Sequence, residues 1–293
     1  MDFQPNFFEQ VTAVAARHPG KALAFFAEWG CRTSSMIRIA ALRGASWAEV
    51  IDDYIPTQAL LLPAEAARGA AEHLATVADD MSDDGAVRQY LVMEDIPMLV
   101  SVPNLVEHLD LQSVSRNGYM GQRRATCYSR VAAVAGPYGD TAVTGLTRVP
   151  YYSWWNKRAE SCIRADAHSL LWRAVPTPAM LSDLLRVPVW SLESACTEGV
   201  SEVSTDFLEA GLVDEETVRG LWFTAYALGI LAAGETPPPS GEVPRSRAVA
   251  LALKSLVPGA LRTVLQPAGL ALASQALGPV MHAAVRSGYA RLP

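Results

Sequence analysis

The chain has 293 residues, with 30 acidic and 24 basic side chains and a formal net charge of −6. Half of the residues are apolar and 18% are charged, enough to bury a core without disulfide or metal staples. No global basic field marks a nucleic-acid binder, and the four scattered cysteines (Cys31, Cys127, Cys162, Cys196) contain no CxxC pair, which excludes a zinc ribbon and fits a reducing compartment. Phe7 to Val14 has apolar residues at helical spacing and stops at His18-Pro19-Gly20. Ala22 to Phe26 reads as a buried strand, and Ser34 to Leu42 as a helix capped near Ser34 or Ser35 and closed by Gly44. Gln58 to Leu62 is the next expected strand, and Pro63 then opens a helix running to about Val77. A further helix is expected from Ser82-Asp83-Asp84 through Leu91. Met98 to Val102 is an apolar run of strand length, and Asn104 to His108 follows as an extended segment. Strands alternating with helices predict an α/β layer with part of its sheet parallel.

Beyond about residue 125 the character changes. Aromatics cluster at Tyr151-Tyr152-Ser153-Trp154-Trp155, and helical periodicity dominates from Thr177. Asp214-Glu215-Glu216 opens a helix carrying Val218, Leu221, Trp222, Tyr226 and Leu228. The predicted organisation is an α/β domain over 1–126, a helical domain over 127–236, a Pro-rich linker over 237–244 and a basic amphipathic helical tail over 245–293. After Glu242 the chain has no acidic residue, while Arg245, Arg247, Lys254, Arg262, Arg286 and Arg291 remain. Pro258, Pro267 and Pro279 are expected to divide that tail into short helices. It reads either as a packed helical layer or as a contact for a membrane surface or protein partner. No run reaches about 18 apolar residues and the N-terminus has no signal pattern, so the expected location is cytoplasmic.

There is no GxGxxG, Walker, GxSxG or HExxH motif, and the five histidines stand isolated. Three carboxylate pairs remain, Asp52-Asp53, Asp79-Asp80 and Asp83-Asp84. Adjacent acids need solvent, a cation or a helix N-terminus, and helix capping alone accounts for Asp83-Asp84. His108 falls at the end of a strand-like segment, where open α/β sheets place functional groups. Trp29-Gly30-Cys31-Arg32 follows the first strand, and Arg32 suits a phosphate or a surface carboxylate. The aromatic cluster, with Tyr152 and Trp154, suits stacking on a sugar or simple packing of the helical part on the sheet.

Taken in order, Ser82-Asp83-Asp84-Gly85 through Leu91, Ile96-Pro97, Met98 to Val102 and Pro103-Asn104-Leu105-Val106-Glu107-His108 resemble the end of a GT-A fold glycosyltransferase domain. The resemblance is closest to actinobacterial glycosyltransferase-like proteins with an LVEH-type segment and covers roughly residues 3–126. It implies a partial GT-A-like mixed sheet with flanking helices, followed by a mainly helical region. It also implies transfer from a nucleotide sugar to a small-molecule or peptide acceptor, in specialised metabolism, without nucleic acid. By position, Asp84 or Asp83 matches the general base, and His108 matches a ligand of Mg²⁺ or Mn²⁺ beside the diphosphate. Trp29, Arg32, Asp53, Gln58, Tyr152 and Trp154 are the candidates for donor or acceptor contacts. The family carries its metal-binding acid pair just before a segment like Asp2 to Phe8, so the resemblance implies a domain whose N-terminal half lies before Met1 or has been lost. The alternative is a non-catalytic interaction protein that lacks the donor site.

Overall fold

A computed structural model describes residues 1–78, 81–109, 117–130, 138–234 and 241–290. Asp79-Asp80 and the Pro237 to Pro239 run of the expected linker lie outside the described residues. Helices α1 (Phe7–Arg17), α2 (Arg32–Leu42), α3 (Ala64–Leu74) and α4 (Asp83–Met93) form where the apolar spacing places them. Strands β1 (Asp2–Phe3), β2 (Ala22–Ala24), β3 (Trp47–Glu49), β4 (Leu60–Leu61), β5 (Met98–Ser101), β6 (Val106–Glu107) and β7 (Ala142–Val143) complete the first part. Five of them make one mixed sheet in the order β4-β2-β5-β3-β7. Within it β2 runs parallel to β5, and β3 runs antiparallel to β5 and parallel to β7. β1 and β6 pair separately, setting Phe3 opposite Val106.

Several local expectations change. Gln58 lies in a 3₁₀ turn (Thr57–Ala59), and the strand expected from it is only Leu60–Leu61. Neither Ser34 nor Ser35 caps α2: the carboxylate of Asp52 accepts from the N–H groups of Arg32 and Thr33 at 3.0 and 2.9 Å. Ser82 caps α4 by accepting from Gly85 N–H, so Asp83 and Asp84 sit in its first turn rather than at its cap.

The regular elements described between 138 and 176 are all strands, which the sequence reading did not expect. β8 (Arg148–Ser153), β9 (Arg158–Ile163) and β10 (Arg173–Pro176) make a three-stranded antiparallel sheet. The aromatic cluster is therefore the end of β8 and its hairpin turn. Helices then follow: α5 (Thr177–Leu185), α6 (Val189–Val200), α7 (Thr205–Glu209), α8 (Glu215–Ala233), α9 (Arg247–Lys254), α10 (Leu256–Leu261) and α11 (Pro267–Ala290). The whole is mixed α/β, with a five-stranded sheet and flanking helices followed by a mainly helical C-terminal region.

One core joins the parts. Its buried residues run from Ala22 to Tyr289 and take in β5, α2, α8, α9, α10 and α11. Every residue of α2 after Arg32 is buried, because the helix meets β3, β8, α8 and α9 at once. α8 and α11 cross closely at two glycines. A Cβ on Gly229 would sit 2.1 Å from Val285 O, and one on Gly288 2.1 Å from Tyr226 O. The tail is thus a packed layer of this core, and α11 continues through Pro279 instead of breaking there. α11, with 24 residues, is also by length and composition apolar enough to cross a membrane, its most apolar 18-residue stretch having a mean hydropathy of 1.3, yet nine of its residues are buried inside the protein.

Candidate functional site

The residues singled out by sequence fall in three places. The first lies where the loop after β3 meets α2 and α4. Asp52 is buried against the α2 N-terminus, and Arg32 bridges it to Asp53, with Nη2 2.6 Å from the Asp53 carboxylate. Burial opposes the Arg32 charge, but Asp52 and Asp53 outweigh it and hold its pKa above the ordinary value. The carbonyl of Asp84 accepts from Ile55 N–H at 3.3 Å, which fixes the start of α4 against this loop. Asp83 is exposed and Asp84 half-buried, and each carboxylate accepts the N–H of the following residue. Gln58 is exposed nearby in sequence. The arrangement accounts for these acids as helix-end and ion-pair partners.

The second place holds Tyr152 and Trp154. They line a small cavity of about 130 Å³ with Lys157, Val213, Thr217 and Val264. Tyr152 is buried and shares a 3.3 Å hydrogen bond with Thr217 Oγ1, and burial pushes its phenol pKa up. Trp154 meets Trp155 edge-on at 5.4 Å. The space is too small for a sugar nucleotide.

The third place is a groove of about 1030 Å³, far larger than the cavity at Tyr152 and Trp154. Trp29 forms part of one wall, with its indole N–H held by Gln122 O at 2.7 Å. Glu107 and the segment Gln122 to Tyr128 continue that wall, while α9, α10 and α11 make the other. Glu107 Oε1 accepts from the N–H groups of His108 and Ala125 at 2.9 and 2.7 Å, so the acid is fixed in position. His108, its neighbour, is half-buried with its ring 6.2 Å from that of Phe26. Among the described residues no three His, Cys, Asp or Glu side chains gather to hold a metal ion.

Buried charge holds the two walls together. Arg262 of the turn after α10 makes two 2.6 Å hydrogen bonds to both oxygens of Glu28, in the loop after β2. Arg38 of α2, pushed down to about 10 by burial, donates to the carbonyls of Trp29, Ala252 and Ser255. A Cβ on Gly259 would lie 2.2 Å from Trp29 O, so α10 touches the Trp29 loop backbone to backbone.

The α11 side of the groove follows helical spacing. Leu270, Ala271, Ser274, Gln275, Gly278, Pro279, His282 and Arg286 all line it, three or four residues apart. Pro279 has no N–H, so the Gln275 carbonyl lacks its helical partner on this face. Burial holds His282 below the ordinary histidine pKa and Arg286 adds to the effect, while its Nε2 has no hydrogen-bond partner among the described residues. Sequence reasoning missed Glu107, Arg124, Lys254, His282 and Arg286 as a set. The acid-free, periodic tail is the signal that could have found Lys254, His282 and Arg286, whereas Glu107 and Arg124 join them only through tertiary packing. No family model matches the chain, and searches of curated proteins and of solved structures found no match either.

Proposed function

We propose that the chain is a cytoplasmic glycosyltransferase that binds a nucleotide sugar in the groove and passes the glycosyl group to a small-molecule or peptide acceptor. The observation that carries this reading is the groove itself. It places a tryptophan face, a fixed carboxylate and the cations Arg124, Lys254 and Arg286 around one space large enough for both substrates. Guanidinium and ammonium groups suit a diphosphate leaving group, and the indole of Trp29 suits a flat base or a sugar face. The reading assigns the leaving-group charge to these cations and routes no step through a metal.

Asp84 does not line the groove. In this reading Glu107 is the general base, since a base must lie within hydrogen-bond reach of the acceptor hydroxyl. The test is a thermal-shift panel of UDP-, GDP- and dTDP-sugars, each with and without Mn²⁺. A ligand at 100 times its dissociation constant adds about 2.7 kcal/mol to stability, and one nucleotide class is expected to raise the melting temperature. A flat panel for all three classes rules the reading out and leaves the interaction-protein alternative.

A further inference from the structure

The α11 side of the groove is graded from one end to the other. Near the start of α11 it is lined by Pro267, Leu270 and Ala271, while the facing wall mixes the apolar Leu251, Leu253, Val257 and Pro258 with Trp29 and with Arg124, whose carbonyl accepts from the Trp29 backbone N–H at 2.9 Å. Toward the end of α11 the lining becomes His282 and Arg286. Lys254 belongs to that end, since the adjoining Leu253 backbone lies close enough to His282 to favour its protonated form. Between them lie Ser274, Gln275 and Gly278, where the unpaired Gln275 carbonyl and the missing side chain of Gly278 leave a polar, open middle. From Pro267 to Arg286 the helix rises about 28 Å. Both tail cations at the polar end are exposed and come from a segment with no acidic residue. The one groove-lining acid, Glu107, has an oxygen tied to two backbone N–H groups.

We infer that the groove is a binding site for a single-chain amphiphile with an anionic head. The head meets Lys254 and Arg286, and the apolar chain lies along α11 toward Leu270 and Pro267. Charge complementarity selects the head, and the apolar lining selects the chain. A fatty carboxylate and an alkyl phosphate share this chemistry. The inference does not depend on glycosyl transfer, but the two ligands overlap at the cationic end and compete there.

The test is isothermal titration of the intact protein with dodecyl phosphate, dodecanoate, the uncharged dodecyl maltoside and inorganic phosphate, all below micelle formation. Dodecyl phosphate or dodecanoate is expected to bind, with the preferred head naming the source. Ala271→Arg, on an exposed lining residue at the apolar end, and Lys254→Glu are each expected to weaken that binding at least about tenfold, roughly 1.4 kcal/mol. Unchanged circular dichroism shows that the variants fold. Failure of both anionic amphiphiles to bind, equal binding of the maltoside, or binding untouched by both variants overturns the inference. Binding of a nucleotide sugar alone upholds the transferase reading and sinks this one, whereas amphiphile binding alone does the reverse.

Discussion

Arg262→Met is the perturbation that the architecture judges most severely. Arg262 and Glu28 are 234 residues apart in sequence, and their side chains are 1% and 10% exposed. Burial disfavours the Arg262 charge, and the Glu28 carboxylate more than offsets that, leaving its pKa raised. Methionine keeps most of the packing volume but leaves the Glu28 carboxylate buried without a counter-charge. Breaking a buried pair this way costs about 3–5 kcal/mol, whereas replacing both partners with apolar residues is neutral or stabilising by about 1–4 kcal/mol. Urea unfolding followed by circular dichroism should therefore show a large loss for Arg262→Met and for Glu28→Gln, and recovery in a Glu28→Leu/Arg262→Met double variant. Hydrogen exchange should show the loss of protection concentrated in α10 and the loop after β2. A loss below about 1 kcal/mol for both single variants, the range of exposed ion pairs, would refute the claim that this pair pins the tail to the sheet.

Other outcomes follow from the same structure. Gly259→Ala drives a Cβ to 2.2 Å from Trp29 O, a backbone atom with nowhere to go, so a loss of about 1–3 kcal/mol or more and a weakened groove ligand are expected in thermal melts and titrations. His282 has a folded pKa below its unfolded value of 6.5, so the unfolded chain takes up the proton first. Its contribution is intact above that value and is lost as pH falls through and below it, and His282→Gln should flatten this part of the stability–pH curve. Ser82→Ala removes the side-chain cap of α4 and should cost about 1 kcal/mol in urea melts, without changing ligand affinity, because α4 does not reach the groove.

Much of the first part was legible because its signals are local. The His18-Pro19-Gly20 stop, the apolar run from Met98 and the spacing through α2 and α4 each depend on a few neighbouring residues. The antiparallel sheet of β8, β9 and β10 was not legible. Pro150 sits inside β8, and its turn closes with Lys157 at φ 51 instead of a glycine, so the usual hairpin signals are missing. Pro279 misled in the other direction. It reads as a helix end, yet α11 tolerates it on the groove face, where the Gln275 carbonyl is not forced into the core. The groove is harder still, because its walls come from residue 29, residue 107, residues 122 to 128 and the tail, and only tertiary packing brings these together. Local spacing therefore drew attention to Asp83, Asp84 and Asp53, whose positions are accounted for by helix starts and an ion pair.

The most direct test of the central claim is release of nucleoside diphosphate from the nucleotide sugar that stabilises the protein, followed over time in the presence of acceptor. The account predicts turnover in the wild type, a loss of about 10² to 10⁴-fold in Glu107→Gln, and near wild-type rates in Asp84→Asn. Loss of turnover in Asp84→Asn with full activity in Glu107→Gln would contradict it, and would move the chemistry from the groove to the start of α4.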